Sequence, residues 1–108
     1  MSSVTEATRQ TFDELVRSGL VLVDVWAPDC RPCVALAPHV EGIAGAHSEL
    51  AVVKLDASKA RRLCIAHRVM GLPTFLLFRD GEELARITNP SLRPDQLDAW
   101  LAEQMQRL

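Results

Sequence analysis

At 108 residues the chain has room for one domain and one core, and its 48% hydrophobic and 24% charged content excludes a disordered tail. A formal net charge of −2 argues against a general polyanion-binding surface, so nucleic acid is not an expected partner. Three cysteines are too few for a disulfide-stapled secreted scaffold, and no apolar run approaches a membrane span.

Met1 to Gln10 lacks the apolar stretch of a secretory leader or an anchor, so the expected compartment is a reducing cytoplasm, with no membrane contact. No repeat or linker interrupts the sequence, which predicts a single domain over residues 1–108. Val4–Glu6 fits a short first strand. Thr11-Phe12-Asp13-Glu14 fits a capping box for a helix running to Arg17 and stopped by Gly19. Leu20–Trp26 is a nearly unbroken apolar run, the pattern of a strand covered on both faces. Asp24 interrupts it. An ionisable group there is costly unless neutralised or paired, and burial would raise its pKa, making it a candidate proton acceptor. The alternative is an aspartate turned outward at a strand end.

Cys30-Arg31-Pro32-Cys33 then opens a helix-like run over Val34–Ala46. Two cysteines three apart at a helix start can close a small disulfide ring. The first of them faces unpaired backbone N–H groups and the positive end of the helix dipole, which favour its thiolate. The thiolate is the species that attacks disulfides, so Cys30 is the expected nucleophile and Cys33 the resolving thiol. Pro32 suits the first helical turn, where its missing N–H costs nothing. Cys33, Leu36, Ala37, Val40, Ile43, Ala44 and His47 share one helical stripe, and Pro38 inside it predicts a kink.

Leu50–Leu55 reads as the next buried strand, and Ser58 as the N-cap of a helix through about His67. Within it Cys64 reads as a small buried hydrophobe, and Lys59-Ala60-Arg61-Arg62 as a solvated face or a docking patch. Thr74–Arg79 and Glu82–Ile87 flank Asp80-Gly81, a strong hairpin signal. A last helix starts near Pro94-Asp95 with Leu97, Trp100, Leu101, Met105 and Leu108 on its apolar face. Alternating strands and helices followed by a hairpin and a closing helix predict an α/β fold, a central mixed β-sheet flanked by helices.

Five segments carry a resemblance beyond these patterns: Val23-Asp24-Val25-Trp26-Ala27 with Cys30-Arg31-Pro32-Cys33, then Ala37-Pro38, Lys54-Leu55-Asp56, Gly71-Leu72-Pro73-Thr74 and Asp80-Gly81. In order and nearly in spacing, they resemble the thioredoxin family from about Thr11 to the end of the chain. The resemblance implies the thioredoxin fold and dithiol–disulfide exchange, carried by a redox-active Cys30–Cys33 disulfide with no bound cofactor and no metal. It implies that Asp24 takes the proton of Cys33 with Lys54 nearby, and that Leu72-Pro73-Thr74 holds a cis peptide bond whose backbone pairs with an extended substrate. Disulfide-bearing client proteins, a thioredoxin-reductase-type electron donor, a monomer and a role in electron transport and cell redox homeostasis follow from the same likeness.

Three positions depart from the pattern: Asp29 replaces the usual tryptophan, Arg31 the usual glycine, and Thr88-Asn89-Pro90 a Val-Gly-Ala loop with about one residue added. All three would lie near the cysteines and bear on the substrate, so Asp29, Arg31 and Asn89 join the expected recognition surface. Two other readings stay open. One is a non-catalytic adaptor using the fold as a binding platform. The other is a structural zinc module built from Cys30, Cys33, Cys64 and His67, although a helix over the second pair, without a knuckle-like turn, speaks against it.

Overall fold

The computed structural model describes residues 3–108. Strand β1 (Val4–Ala7) is followed by helix α1 (Phe12–Val16), β2 (Leu20–Trp26) and α2 (Arg31–Ala46). Then come β3 (Leu50–Asp56), a 3₁₀ turn (Ala57–Lys59), α3 (Arg61–Ala66), the hairpin strands β4 (Thr74–Arg79) and β5 (Glu82–Thr88), and α4 (Pro94–Gln106). The strands form one sheet in the order β1-β3-β2-β4-β5. β1, β3 and β2 run parallel, β4 is antiparallel to β2, and β5 is antiparallel to β4.

Strand β2 lies at the centre and is buried from Val21 to Val25, because helices cover both faces of the sheet. Its alternate side chains feed two separate cores. Val21, Val23 and Val25 pack with Phe12 and Val16 of α1 and Cys64 of α3. Leu22 packs on the opposite face with Leu36, Val40 and Ile43 of α2 and Leu97 and Leu101 of α4. Asp24, even-numbered like Leu22, therefore faces the layer beneath α2.

Several local expectations need correction. Thr11 does not cap α1, because its own backbone is already helical (φ −102°, ψ −13°) and its hydroxyl accepts the Thr8 N–H at 2.9 Å. The helix ends at Val16. Helix α2 starts at Arg31, with Cys30 as its cap and Pro32 in its first turn as expected, and it continues through Pro38, which lies on the exposed side. Ser58 caps nothing. Its N–H and hydroxyl both donate to Asp56 Oδ1, at 2.9 and 2.6 Å, so the chain turns once as a 3₁₀ segment before α3 begins. Leu108 lies beyond the end of α4 and is exposed.

The hairpin forms as read, with Asp80 (φ 51°) and Gly81 (φ 85°) both in the left-handed region that a tight two-residue turn demands. The Asp80 carboxylate accepts the Gly19 N–H at 2.8 Å, tying this turn to the one before β2. Phe78 pairs with Glu83 and Leu77 with Ala85, so β5 bulges at Leu84.

Candidate active site

The carboxyl end of β2 leads through Ala27-Pro28-Asp29 to Cys30, whose N–H donates to Ala27 O at 3.0 Å and closes a tight turn. Cys30 is the N-cap of α2, with extended φ and ψ of −88° and 101°. Its sulfur accepts the N–H of Cys33 at 3.3 Å, the bond that a hydroxyl or carboxylate makes at an ordinary N-cap. The two cysteines are joined as a disulfide with Cα atoms 5.3 Å apart. They are not equivalent. Cys30 is half-buried and reachable, whereas Cys33 is 2% exposed on the inner face of α2. Asp29 and Arg31 flank Cys30. Both are exposed.

Beneath this turn lies the layer shared by Asp24, Trp26 and Lys54. Asp24 is 1% exposed, and neither of its oxygens has a hydrogen-bond partner. The strand does not turn it outward. Burial pushes its carboxyl up from the ordinary 3.8 to about 7, against the pull of the Lys54 ammonium. Lys54 is its direct neighbour in the parallel β2–β3 pairing, and the Lys54 Nζ sits 4.2 Å from the centre of the Trp26 ring. The indole Nε1 of Trp26 is likewise buried without a partner. Such orphaned polar atoms are rare in native interiors, and a buried acid with a pKa raised to about 7, in the layer beneath the helix that carries the cysteines, is suited to proton transfer.

A second loop carries Gly71, Leu72 and Pro73, and the Leu72–Pro73 bond is cis. Thr74 is fully buried, with its hydroxyl 2.6 Å from Gly71 O and 2.7 Å from the Thr88 hydroxyl. Its side chain thus holds the loop rather than facing outward. Asn89 N–H donates to Pro73 O at 3.4 Å, so the Thr88-Asn89-Pro90 segment lies against the cis-proline turn.

Arg86 escaped the sequence reading. Its guanidinium forks onto Glu83 at 2.6 Å and also donates to His67 O at 2.7 Å and Arg68 O at 3.0 Å. It thereby satisfies carbonyls at the end of α3 and fixes the start of the loop to Pro73. Residues three apart on a strand normally point to opposite faces. The Leu84 bulge brings Glu83 and Arg86 to one side, and a bulge leaves no mark in the period of a sequence.

The proposed fourfold zinc set is not assembled. Cys64 packs in the α1/α3 core, on the face of the sheet opposite α2, and its thiol is pushed up by burial and by Asp56. The His67 ring stacks edge-on with Phe12 and Phe78 at 5.2 and 6.1 Å. Among the described residues no three His, Cys, Asp or Glu side chains converge. His39 is half-buried with Nε2 2.8 Å from Asp98 Oδ1, linking α2 to α4.

Comparison with known proteins agrees with this geometry. The Thioredoxin family model matches residues 3–103. A thioredoxin of Acetoanaerobium sticklandii is 36% identical over 99 residues, covering 89% of this chain and 94% of that protein. A thioredoxin of Staphylococcus haemolyticus is 36% identical over 86 residues, 79% of this chain and 83% of its own length. Among solved structures, a point mutant of the thioredoxin of Halobacterium salinarum superposes with a TM-score of 0.82 at 31% identity, over 94% of this chain and 90% of that one. Spinach chloroplast thioredoxin f, at 24% identity and a TM-score of 0.86, matches in fold over 96% and 95% of the two chains.

Proposed function

The chain belongs to the thioredoxin family and is a thiol–disulfide oxidoreductase acting on disulfide-bearing client proteins, and from that premise we infer how its residues divide the work. In its dithiol form the protein reduces a client disulfide. The Cys30 thiolate attacks one client sulfur, the client S–S bond breaks, and the other client sulfur leaves as a thiolate. Cys33, once deprotonated, attacks Cys30 Sγ, which closes the Cys30–Cys33 bond and releases the second client thiolate. Two electrons pass to the client. The chain's own sulfurs carry them, without a bound cofactor or metal, and an outside dithiol of the reductase type restores the pair.

The observation that carries this division is the asymmetry of the pair: Cys30 is reachable and receives a backbone N–H on its sulfur, while Cys33 is buried. Asp24 is the proton acceptor for Cys33, supported by its burial and its pKa of about 7. Lys54 keeps that carboxyl from rising further. The Leu72–Pro73 turn offers backbone to an extended client segment, with Thr74 holding its shape and Asn89, Asp29 and Arg31 forming its rim. No described helix is long and apolar enough to cross a membrane. A cytoplasmic monomer that feeds electrons into cell redox homeostasis is the reading we adopt.

Insulin reduction by the dithiol form tests the mechanism. Cys30→Ser should abolish it, and Cys33→Ser should accumulate a mixed disulfide through Cys30, visible as a mass adduct of one client chain. Equal residual turnover in both variants would refute the division of roles.

A further inference from the structure

Four of the chain's 12 lysines and arginines gather where the established chemistry does not use them. Arg9, Lys59, Arg61 and Arg62 are all exposed and line one cleft of about 270 Å³ with Ser58, Ala60 and Leu63, so every charged side chain in its wall is cationic. Among the described residues the ion pairs are His39–Asp98, His47–Glu49, Arg86–Glu83, Arg93–Asp95 and Arg107–Glu103, and none includes these four. In an adjoining cleft of about 260 Å³, Arg9 and Lys59 recur with Glu6 and Asp56, so across the two clefts the four cations outnumber the two carboxylates. A chain with a net charge of −2 concentrates positive potential here against its overall sign.

The position of the cleft relative to the dithiol follows from strand register. Ala7 of β1 pairs with Leu55 of β3, and Asp56 of β3 pairs with Trp26 of β2, so the three parallel strands end together. Arg9 lies just past the end of β1, Lys59 just past β3, and Cys30 just past β2. All leave the sheet at its carboxyl edge, where ligands of open parallel sheets gather. Two strand spacings, roughly 10 Å, separate β1 from β2. An extended segment of about three to six residues, at about 3.3 Å each, spans from the cleft to the nucleophile.

We propose that this cationic cleft docks an acidic segment of the client protein while Cys30 attacks the client's disulfide. It rests on the oxidoreductase reading and adds to it a class of client: those with glutamate or aspartate a few residues from the reducible cystine. Exposed charges act chiefly on encounter rate and are screened by salt, so the preference is kinetic and strongest at low ionic strength.

Three disulfide peptides test it, identical around the cystine and differing in a flanking run of glutamate, glutamine or lysine. Pre-reduced protein is mixed with each at low salt and at about 0.3 M salt, where the screening length falls to several ångströms. The glutamate peptide should be reduced about three- to tenfold faster than the glutamine peptide at low salt, and the lysine peptide slowest. High salt should erase the order. In the variant carrying Lys59→Gln, Arg61→Gln and Arg62→Gln, the glutamate advantage should vanish with the glutamine peptide's rate unchanged. These side chains are exposed, and an unchanged circular dichroism melt confirms that the fold is intact. Equal rates for the glutamate and glutamine peptides with wild type, or an advantage that survives in the variant, would overturn the proposal. So would tight, patch-dependent binding of an oligonucleotide without a glutamate preference, which would assign the cleft to nucleic acid. Failure to reduce any of the three peptides would overturn the underlying oxidoreductase reading, a result distinct from loss of preference.

Discussion

Replacing Asp24 with asparagine should stabilise the folded chain in alkaline solution and change it little near pH 4. In the unfolded chain this carboxyl loses its proton near the ordinary 3.8, and in the fold near 7. Between those values the unfolded state binds fewer protons than the native one, so stability falls as pH rises. The loss begins near pH 4 and is complete above about pH 7. A gap of about three pH units, at about 1.4 kcal/mol each, puts the burden on the order of 4 kcal/mol. Asparagine has no charged form and escapes it. Its amide meets the same lack of partners as a protonated Asp24, a cost that does not vary with pH. The informative quantity is therefore how the difference between the two proteins changes with pH. For a domain of this size each kcal/mol moves the melting temperature by about 4–8 °C. The melting curves of the oxidised proteins should draw apart by about 15–30 °C between about pH 4 and about pH 8.5, with asparagine the more stable. The same variant should release a mixed disulfide more slowly at neutral pH, since Cys33 has lost its acceptor. A difference in melting temperature that stays constant across that range, or an asparagine protein that melts lower at the alkaline end, would refute the assignment of a buried, proton-holding carboxyl.

Charges beside Cys30 should tune recognition more than potential. An exposed charge at a helix end contributes roughly 0.3–1 kcal/mol, on the order of 10–20 mV for this couple, and Asp29 and Arg31 act with opposite signs. Potentials and client rates for Asp29→Trp and Arg31→Gly test this, and shifts of many tens of millivolts with unchanged client rates would reverse the roles. Arg86→Met strips the guanidinium from two carbonyls and from Glu83, so stability should drop by about 1–3 kcal/mol in urea titration. Client KM should rise as the Pro73 loop loosens, and a silent substitution would show that the clamp is ornamental. Leu22→Ala, at a fully buried position in the α2/α4 core, should cost about 2–5 kcal/mol in the same titration.

The fold was legible where periodicity and charge agreed. The β2 run reads buried because an aspartate is its one ionisable residue, and the same contrast marks Asp24 as unusual. Asp80-Gly81 announces the hairpin because few other pairs tolerate two left-handed residues. Pro32 marks the first turn of α2, but its cap was harder to foresee: cap chemistry is ordinarily written in oxygen, and here a sulfur takes the part. Ser58 and Thr11 misled for a related reason: each has the composition of a cap, but a neighbouring Asp56 or Thr8 occupies its hydrogen bonds. At the site, the cysteines and Asp24 were visible as residue types in context. Arg86 was not, because its role depends on a bulge and on carbonyls that the sequence brings near only after folding.

The buried Cys64 gives the chain a fixed stoichiometry. It stands 8% exposed on the far side of the sheet from α2, its thiol held protonated by burial and by the Asp56 carboxylate. Three sulfurs could in principle pair in three ways, but the sheet is a wall between this one and the other two. Oxidation therefore has a single intramolecular product, and each chain stores two electrons and no fraction of a third. A folded sample cycled repeatedly between oxidised and reduced forms should return to one isomer, with its odd thiol unspent.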